Sequence, residues 1–243
     1  MNEVLIFILG LVTNFYGISI GGGGLLLIPG LILLGVDPKI VIGSTSVANI
    51  ASSVVGIINF HKAKQIDYKH MLPFIIEITA GAIIGSLLVI NMPTDYFVKS
   101  IAVVLIIMTI LSLKNRNIGL IEKAASATKK TIGHVLLFFC GIYKGAVNSG
   151  SSLPVSYILI FNFGMTYLKA SGSRKIPMLI SYIPSALLFI WSGLIDWKLV
   201  LILVASNSIG AHYGSKFMLK KGNTWMQYGF SIIVILTVIK MLF

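Results

Sequence analysis

Four consecutive glycines, Gly21 to Gly24, sit inside an apolar run that extends from residue 4 to residue 36, with Pro29 a few positions on. One smooth helix cannot accommodate them. A glycine in a helix interior costs about 1 kcal/mol relative to alanine, and a proline removes a backbone donor. The run is nonetheless far too long and apolar for a soluble core helix. In a bilayer, N–H and C=O groups freed by a break must find partners, so broken helices persist only against other protein or a wet cavity. The break is therefore a candidate binding site.

Composition places the rest of the chain in the same environment. Of 243 residues, 56% are hydrophobic and 11% charged, with a mean hydropathy of +0.96, which is the profile of a polytopic all-α membrane protein. The net charge of +12 is carried mostly by short loops between apolar runs, without a basic arm or an RNA-reading motif. Those charges are read as topological signals, and no nucleic acid partner is expected. A single cysteine, Cys140, excludes an intramolecular disulfide and a CxxC site. Met1-Asn2-Glu3-Val4 lacks a positive n-region, and its apolar run passes signal-peptide length, so it is expected to remain as a membrane segment.

With about 20 apolar residues per crossing as the ruler, apolar stretches fall at 4–36, 40–60, 71–92, 96–113, 132–163, 176–193, 197–214 and 225–243. The first and fifth are long, and each carries a Gly/Ser cluster with a proline near its middle. The polar stretch 114–131 divides the chain into a first membrane repeat (1–113), a cytoplasmic linker (114–131) and a second membrane repeat (132–243). The two sides echo one another. Ile66-Asp67-Tyr68-Lys69 recurs as Ile195-Asp196-Trp197-Lys198, an offset of 129. At the same offset Gly43-Ser44 becomes Gly172-Ser173, Gly81 and Gly85 become Gly210 and Gly214, and Gly35 becomes Gly164. After a one-residue gap, Gly17, Gly22 and Leu25 fall on Gly145, Gly150 and Leu153, so the first break has a partner in 141–154.

Charge tests the relative orientation of the halves. With Lys144 set aside as lying in the second break, parallel halves divide Lys and Arg ten inside to eight outside, whereas an inverted second half divides them fourteen to four. The positive-inside rule favours inversion. The expected architecture is two inverted-topology repeats, each opening with a Gly/Ser-rich broken helix.

With the glycine cluster, Pro29, Gly35, Gly43-Ser44-Thr45-Ser46 read as a turn into a helix, Ile66-Asp67-Tyr68 and the echo of all these in the second half, the sequence resembles the TauE/SafE sulfite exporter family of permeases. The likeness covers nearly the whole chain. It implies a transporter of sulfur-containing anions such as sulfite or organosulfonates.

The residues support an anion independently. Half-helices that begin at a break point N–H groups and the positive end of the helix dipole into the protein, and transporters built from inverted repeats hold substrate near such termini. Candidate donors are the backbone of Gly21, Gly22, Gly23 and Gly24, then Ser44, Thr45, Ser46 and Asn49, with Asn148, Ser149, Ser151 and Ser152 as counterparts in the second half. The competing reading is that small residues let membrane helices approach closely. Lys144, within the second break, is the candidate side chain for contacting an anion, against a snorkelling lysine at an interface. Arg174 and Lys175 read as topological charges, with a guard at the cytoplasmic entrance as the alternative. Glu77, about six residues into its helix, is a candidate for carrying a coupling proton or for lining a vestibule. The pairs Gly81/Gly85 and Gly210/Gly214 read as helix-packing positions.

No Gly-Lys-Ser/Thr follows the glycines, and no HExxH, GxSxG or acidic metal cluster is present. Neither an enzyme nor a cofactor or metal is expected. The reading is a multi-pass secondary transporter in a bacterial-type plasma membrane, with a small anion and the lipid bilayer as partners and a homo-oligomer left open. A passive anion channel and a membrane assembly protein are the alternatives.

Overall fold

The computed structural model describes residues 2–18, 21–93, 119–148 and 150–242. The apolar stretch 96–113, part of the expected linker, and Ser149 lie outside them. All regular structure among the described residues is helical. The long first stretch becomes two helices, α1 (Glu3–Gly17) and α2 (Gly23–Leu33), with Gly22 at the α2 N-terminus in the left-handed region (φ 77°). They are followed by α3 (Pro38–Lys62) and α4 (Met71–Asn91). The fifth stretch becomes α5 (Ala127–Val147) and α6 (Ser152–Phe163), separated by Asn148, which is itself left-handed at φ 61°. Next come the short α7 (Tyr167–Ser173), α8 (Lys175–Trp191) and the run α9 (Trp197–Leu242), interrupted at Gly222 (φ 82°, ψ −174°).

At 1.5 Å per residue, α1 and α2 measure about 22 and 16 Å, so neither alone crosses a core of about 30 Å. Pro38–Lys62 and Met71–Asn91 are the described helices long and apolar enough to do so. Asp37 starts α3 by accepting from the Lys39 and Ile40 N–H groups at 2.8 and 3.2 Å, with Pro38 just inside the helix. Asp196 starts α9 in the same way, accepting from Lys198 and Leu199. Gly43 to Ser46 are therefore interior to α3, more than a turn past its start, and form no turn. Their hydroxyls fold back on the helix: Thr45 donates to Val41 O (2.7 Å) and Ser46 to Ile42 O (2.9 Å).

The halves interlock reciprocally. α4 packs on α5 as α9 packs on α1, and α3 meets α9 as α8 meets α4. Side chains at Gly81 and Gly85 would collide with the Phe138 and Ile142 carbonyls, and at Gly210 and Gly214 with those of Leu11 and Phe15. A Cβ at Gly43 would strike the Leu194 carbonyl, and one at Gly172 the Gln65 carbonyl. Beside these glycines, Ser44 Oγ accepts from Asp196 N at 3.0 Å and Ser173 Oγ from Asp67 N at 2.8 Å. Gly164 and Gly35, also one offset apart, both adopt positive φ at helix C-termini. Every one of these contacts joins one side of residues 114–131 to the other.

Candidate functional site

The two breaks meet. Gly21 comes so close to the start of α6 that a Cβ there would lie 3.1 Å from Leu153 N, and a Cβ at Gly23 would strike the Thr13 carbonyl. Only glycine lets α2 fold back on α1 at this distance. Between the breaks lies a cavity of about 50 Å³, several times the ~10–15 Å³ that one water needs. Its wall includes Gly22, Gly23 and Gly24 at the start of α2, and Gly150 and Ser152 at the start of α6. Both N-termini therefore point their unpaired N–H groups and positive dipole ends at one space.

Thr13 and Asn14 of α1, Asn49, Ser52 and Ser53 of α3, Asn148, Tyr182 and Lys175 complete the polar part of the wall. Asn148 donates through Nδ2 to Thr45 Oγ1 (2.9 Å) and Ile42 O (3.1 Å), while its Oδ1 is buried without a partner among the described residues. Tyr182 and Asn49 stand beside one another on this wall. Gly56 of α3 faces Ile18, whose Cδ1 would lie 3.0 Å from a Cβ there, with the Lys175 stem in ordinary contact at 3.5 Å.

Three cations are buried around this wall: Lys144 (1% exposed), Arg174 (1%) and Lys175 (5%). Arg174 Nη2 donates to the Ile18 carbonyl at 3.3 Å, which ties the α7–α8 joint to the end of α1. Lys144 Nζ stands 3.7 Å from the centre of the Tyr182 ring, a cation–π contact. No carboxylate is among the described residues that line the cavity. A buried cation without an anionic partner is costly, and the arrangement favours whatever anion enters.

Of the residues singled out in the sequence, Gly22, Gly23, Gly24, Asn49, Asn148 and Ser152 come together on the cavity wall. Gly21, Ser44, Thr45, Ser46, Ser151 and Lys144 are buried off it, the first four holding the frame and Lys144 lying against Tyr182. Glu77 lies elsewhere, on the α4–α5 contact, with Oε1 2.7 Å from His134 Nδ1. Arg174 and Lys175 correct the expectation of topological charges, because both are buried at the centre.

The family described as sulfite exporter TauE/SafE matches residues 6–241. The chain belongs to this family. Among relatives of this TauE/SafE protein, one from Haemophilus influenzae, described as a probable membrane transporter protein, is 23% identical over 223 residues, covering 92% of this chain and 88% of the relative. A Sinorhizobium relative with the same description is 24% identical over 219 residues (89% and 83% covered). The Bacillus subtilis relative YunE, also described as a probable membrane transporter protein, is 24% identical over 243 residues (89% and 87%). No solved structure matches the chain. The candidate cavity of this TauE/SafE chain lies where Gly21 to Gly24 meet the start of α6.

Signals for the missed residues were thin. Lys175 stands beside Arg174 in a short polar patch, and a pair of cations between apolar stretches looks like any loop. Tyr182 is one aromatic in an apolar run. His134 lies 57 positions from Glu77, and only the α4–α5 packing brings them together.

Proposed function

We propose that this membrane protein is a secondary transporter of small anions, with a sulfur oxyanion (sulfite or a short organosulfonate) as its cargo, held between two inverted halves and moved by alternating access. The halves are 1–113 and 132–243, joined by the cytoplasmic linker 114–131. The observation that carries the reading is the convergence of two helix N-termini and Lys175 on one small polar cavity whose described wall contains no carboxylate. Backbone N–H groups at Gly22 to Gly24, the Asn49 and Ser152 side chains and the Lys175 ammonium supply donors to the anion's oxygens, while Asn148, whose Nδ2 is engaged by Thr45 and Ile42, fixes the α5–α6 break. Ser149, between Asn148 and Gly150, belongs to the same set. Gly21 and Ser44 to Ser46 hold these donors in place, and Ser151 backs the start of α6. About 50 Å³ suits a compact oxyanion better than a long organosulfonate.

Inversion rests on the charge distribution and on the reciprocal interlock. With the buried Arg174 and Lys175 removed from the count, inverted halves leave twelve cations inside against four outside, and parallel halves ten against six. Coupling, in this reading, is to protons through Glu77 and its neighbour His134. Equal transport rates with and without an imposed pH gradient would remove that claim.

The test is a thermal-shift series on purified protein with sulfite, sulfate, thiosulfate, taurine and small carboxylates, beside Lys175→Met. An anion at a hundred times its dissociation constant adds about 2.7 kcal/mol to folded stability. Stabilisation of the wild type by a sulfur anion, absent in Lys175→Met, is the expected result. No response to any of these anions refutes the reading. Trans-stimulated exchange in proteoliposomes then separates a carrier from a channel, which shows none.

A further inference from the structure

Tyr182 belongs to two environments. Its side chain is part of the cavity wall, beside Asn49 on the same wall. The Lys144 ammonium lies 3.7 Å from the ring centre, off the wall, and Nζ has no hydrogen-bond partner among the described residues. Lys144 is one helical turn behind the cavity: the Asn148 N–H donates to the Lys144 carbonyl at 2.6 Å, and Asn148 is on the wall. A π-face satisfies an ammonium only in part, and an oxyanion making charge-assisted hydrogen bonds is a stronger partner. The turn of α8 that carries Tyr182 is also weakened. Pro184 lies inside this helix and has no N–H to give the Ile180 carbonyl.

We infer that Tyr182 is a movable screen between two cationic stations, Lys175 in the cavity and Lys144 behind the ring. An anion held at the first station reaches the second when the ring swings aside. The cargo in this inference rests on the transport reading above; the screen itself rests on the ring, the cavity wall and the unpartnered ammonium. The two stations divide the work. Lys175 contributes to capture, and Lys144 to passage.

The screen is tested by thiol accessibility, which needs no knowledge of the cargo. In a Cys140→Ser background, the thiol introduced by Lys144→Cys is reacted with methyl methanethiosulfonate, in full-length protein with and without Tyr182→Ala. Opening the screen is expected to raise the reaction rate at least tenfold, whereas equal rates, including equally vanishing ones, overturn the inference. Tyr182→Leu replaces Tyr182→Ala if the latter does not purify as folded protein. In a second arm, Lys144→Met is compared with Lys175→Met using sulfite. The expected result for Lys144→Met is a sulfite dissociation constant within twofold of wild type, with exchange in proteoliposomes lowered at least tenfold. Loss of binding as complete as in Lys175→Met would merge the two stations and overturn their separation. If no anion stabilises the wild type, the transport reading falls, and the labelling comparison still decides whether the ring covers Lys144.

Discussion

In the first half Gly43 and Ser44 close on Leu194 and Asp196, and in the second Gly172 and Ser173 close on Gln65 and Asp67, with serine hydrogen bonds of 3.0 and 2.8 Å. At the breaks this agreement ends. The first break presents bare backbone at Gly22 to Gly24, whereas the second presents Asn148 and Ser152, with Lys144 one turn before. Sequence was repeated where two surfaces must fit, and diverged where they face the cavity. The interlock leaves no freedom, since a Cβ at either glycine meets a carbonyl oxygen. The cavity wall needs only donors, which backbone and side chains both provide.

The comparison can be broken most forcefully at the interlock. Gly43→Ala and Gly172→Ala each drive a methyl group into backbone, and each is expected to cost about 3 kcal/mol, the upper end for overpacking. Melting curves in detergent check this. A large loss in one variant and none in the other would show that the halves do not bear on each other equally. Next in size is Lys175→Met, which should weaken anion binding about 100-fold, or roughly 2.7 kcal/mol, by isothermal titration. Its unliganded stability should hold or rise, because an apolar side chain replaces a buried charge that has no anionic partner among the described residues.

Smaller effects sharpen the match. Ser44→Ala and Ser173→Ala each remove one acceptor from a backbone N–H and should cost about 1 kcal/mol apiece, in equal measure, by denaturant or thermal unfolding. The smallest stability change is expected at Glu77, whose partly exposed contact with His134 is worth about 0.5 kcal/mol. Glu77→Gln should nonetheless remove the response of transport to an imposed pH gradient. Its counterpart at the offset of 129, Ser206, carries no titratable group. That position of the second half offers no substitute for it.

The interlock was legible in the sequence because steric fit leaves a residue-specific mark: glycines recurred at one offset, and each of the pairs 43/172, 81/210 and 85/214 proves to touch a backbone of the other half. The location of the site was legible for a similar reason, since a glycine run in an apolar stretch must break. Its charges were less so. Burial of Lys175 depends on the close fit of α3 and α8, which is not visible from the residues around position 175. Ser44 looked like a free hydroxyl because its partner, Asp196 N, is 152 residues away. Thr45 and Ser46 looked free because their place inside α3 was read as a turn, which hid the carbonyls behind them.

The loop anchor at Asp67 also sets a schedule for biogenesis. Its partner Ser173 lies 106 residues further along the chain. At synthesis rates of about 5–20 residues per second, the nascent first half waits roughly 5–20 seconds for the hydroxyl that will hold it. For about the first 70 residues of that interval Gly81 and Gly85 have nothing to close on, and Gly43 waits beyond its end for Leu194. The vulnerable form of this protein is the half-made chain in the membrane, and a variant slow to complete the interlock will be lost to proteolysis there before its finished stability matters.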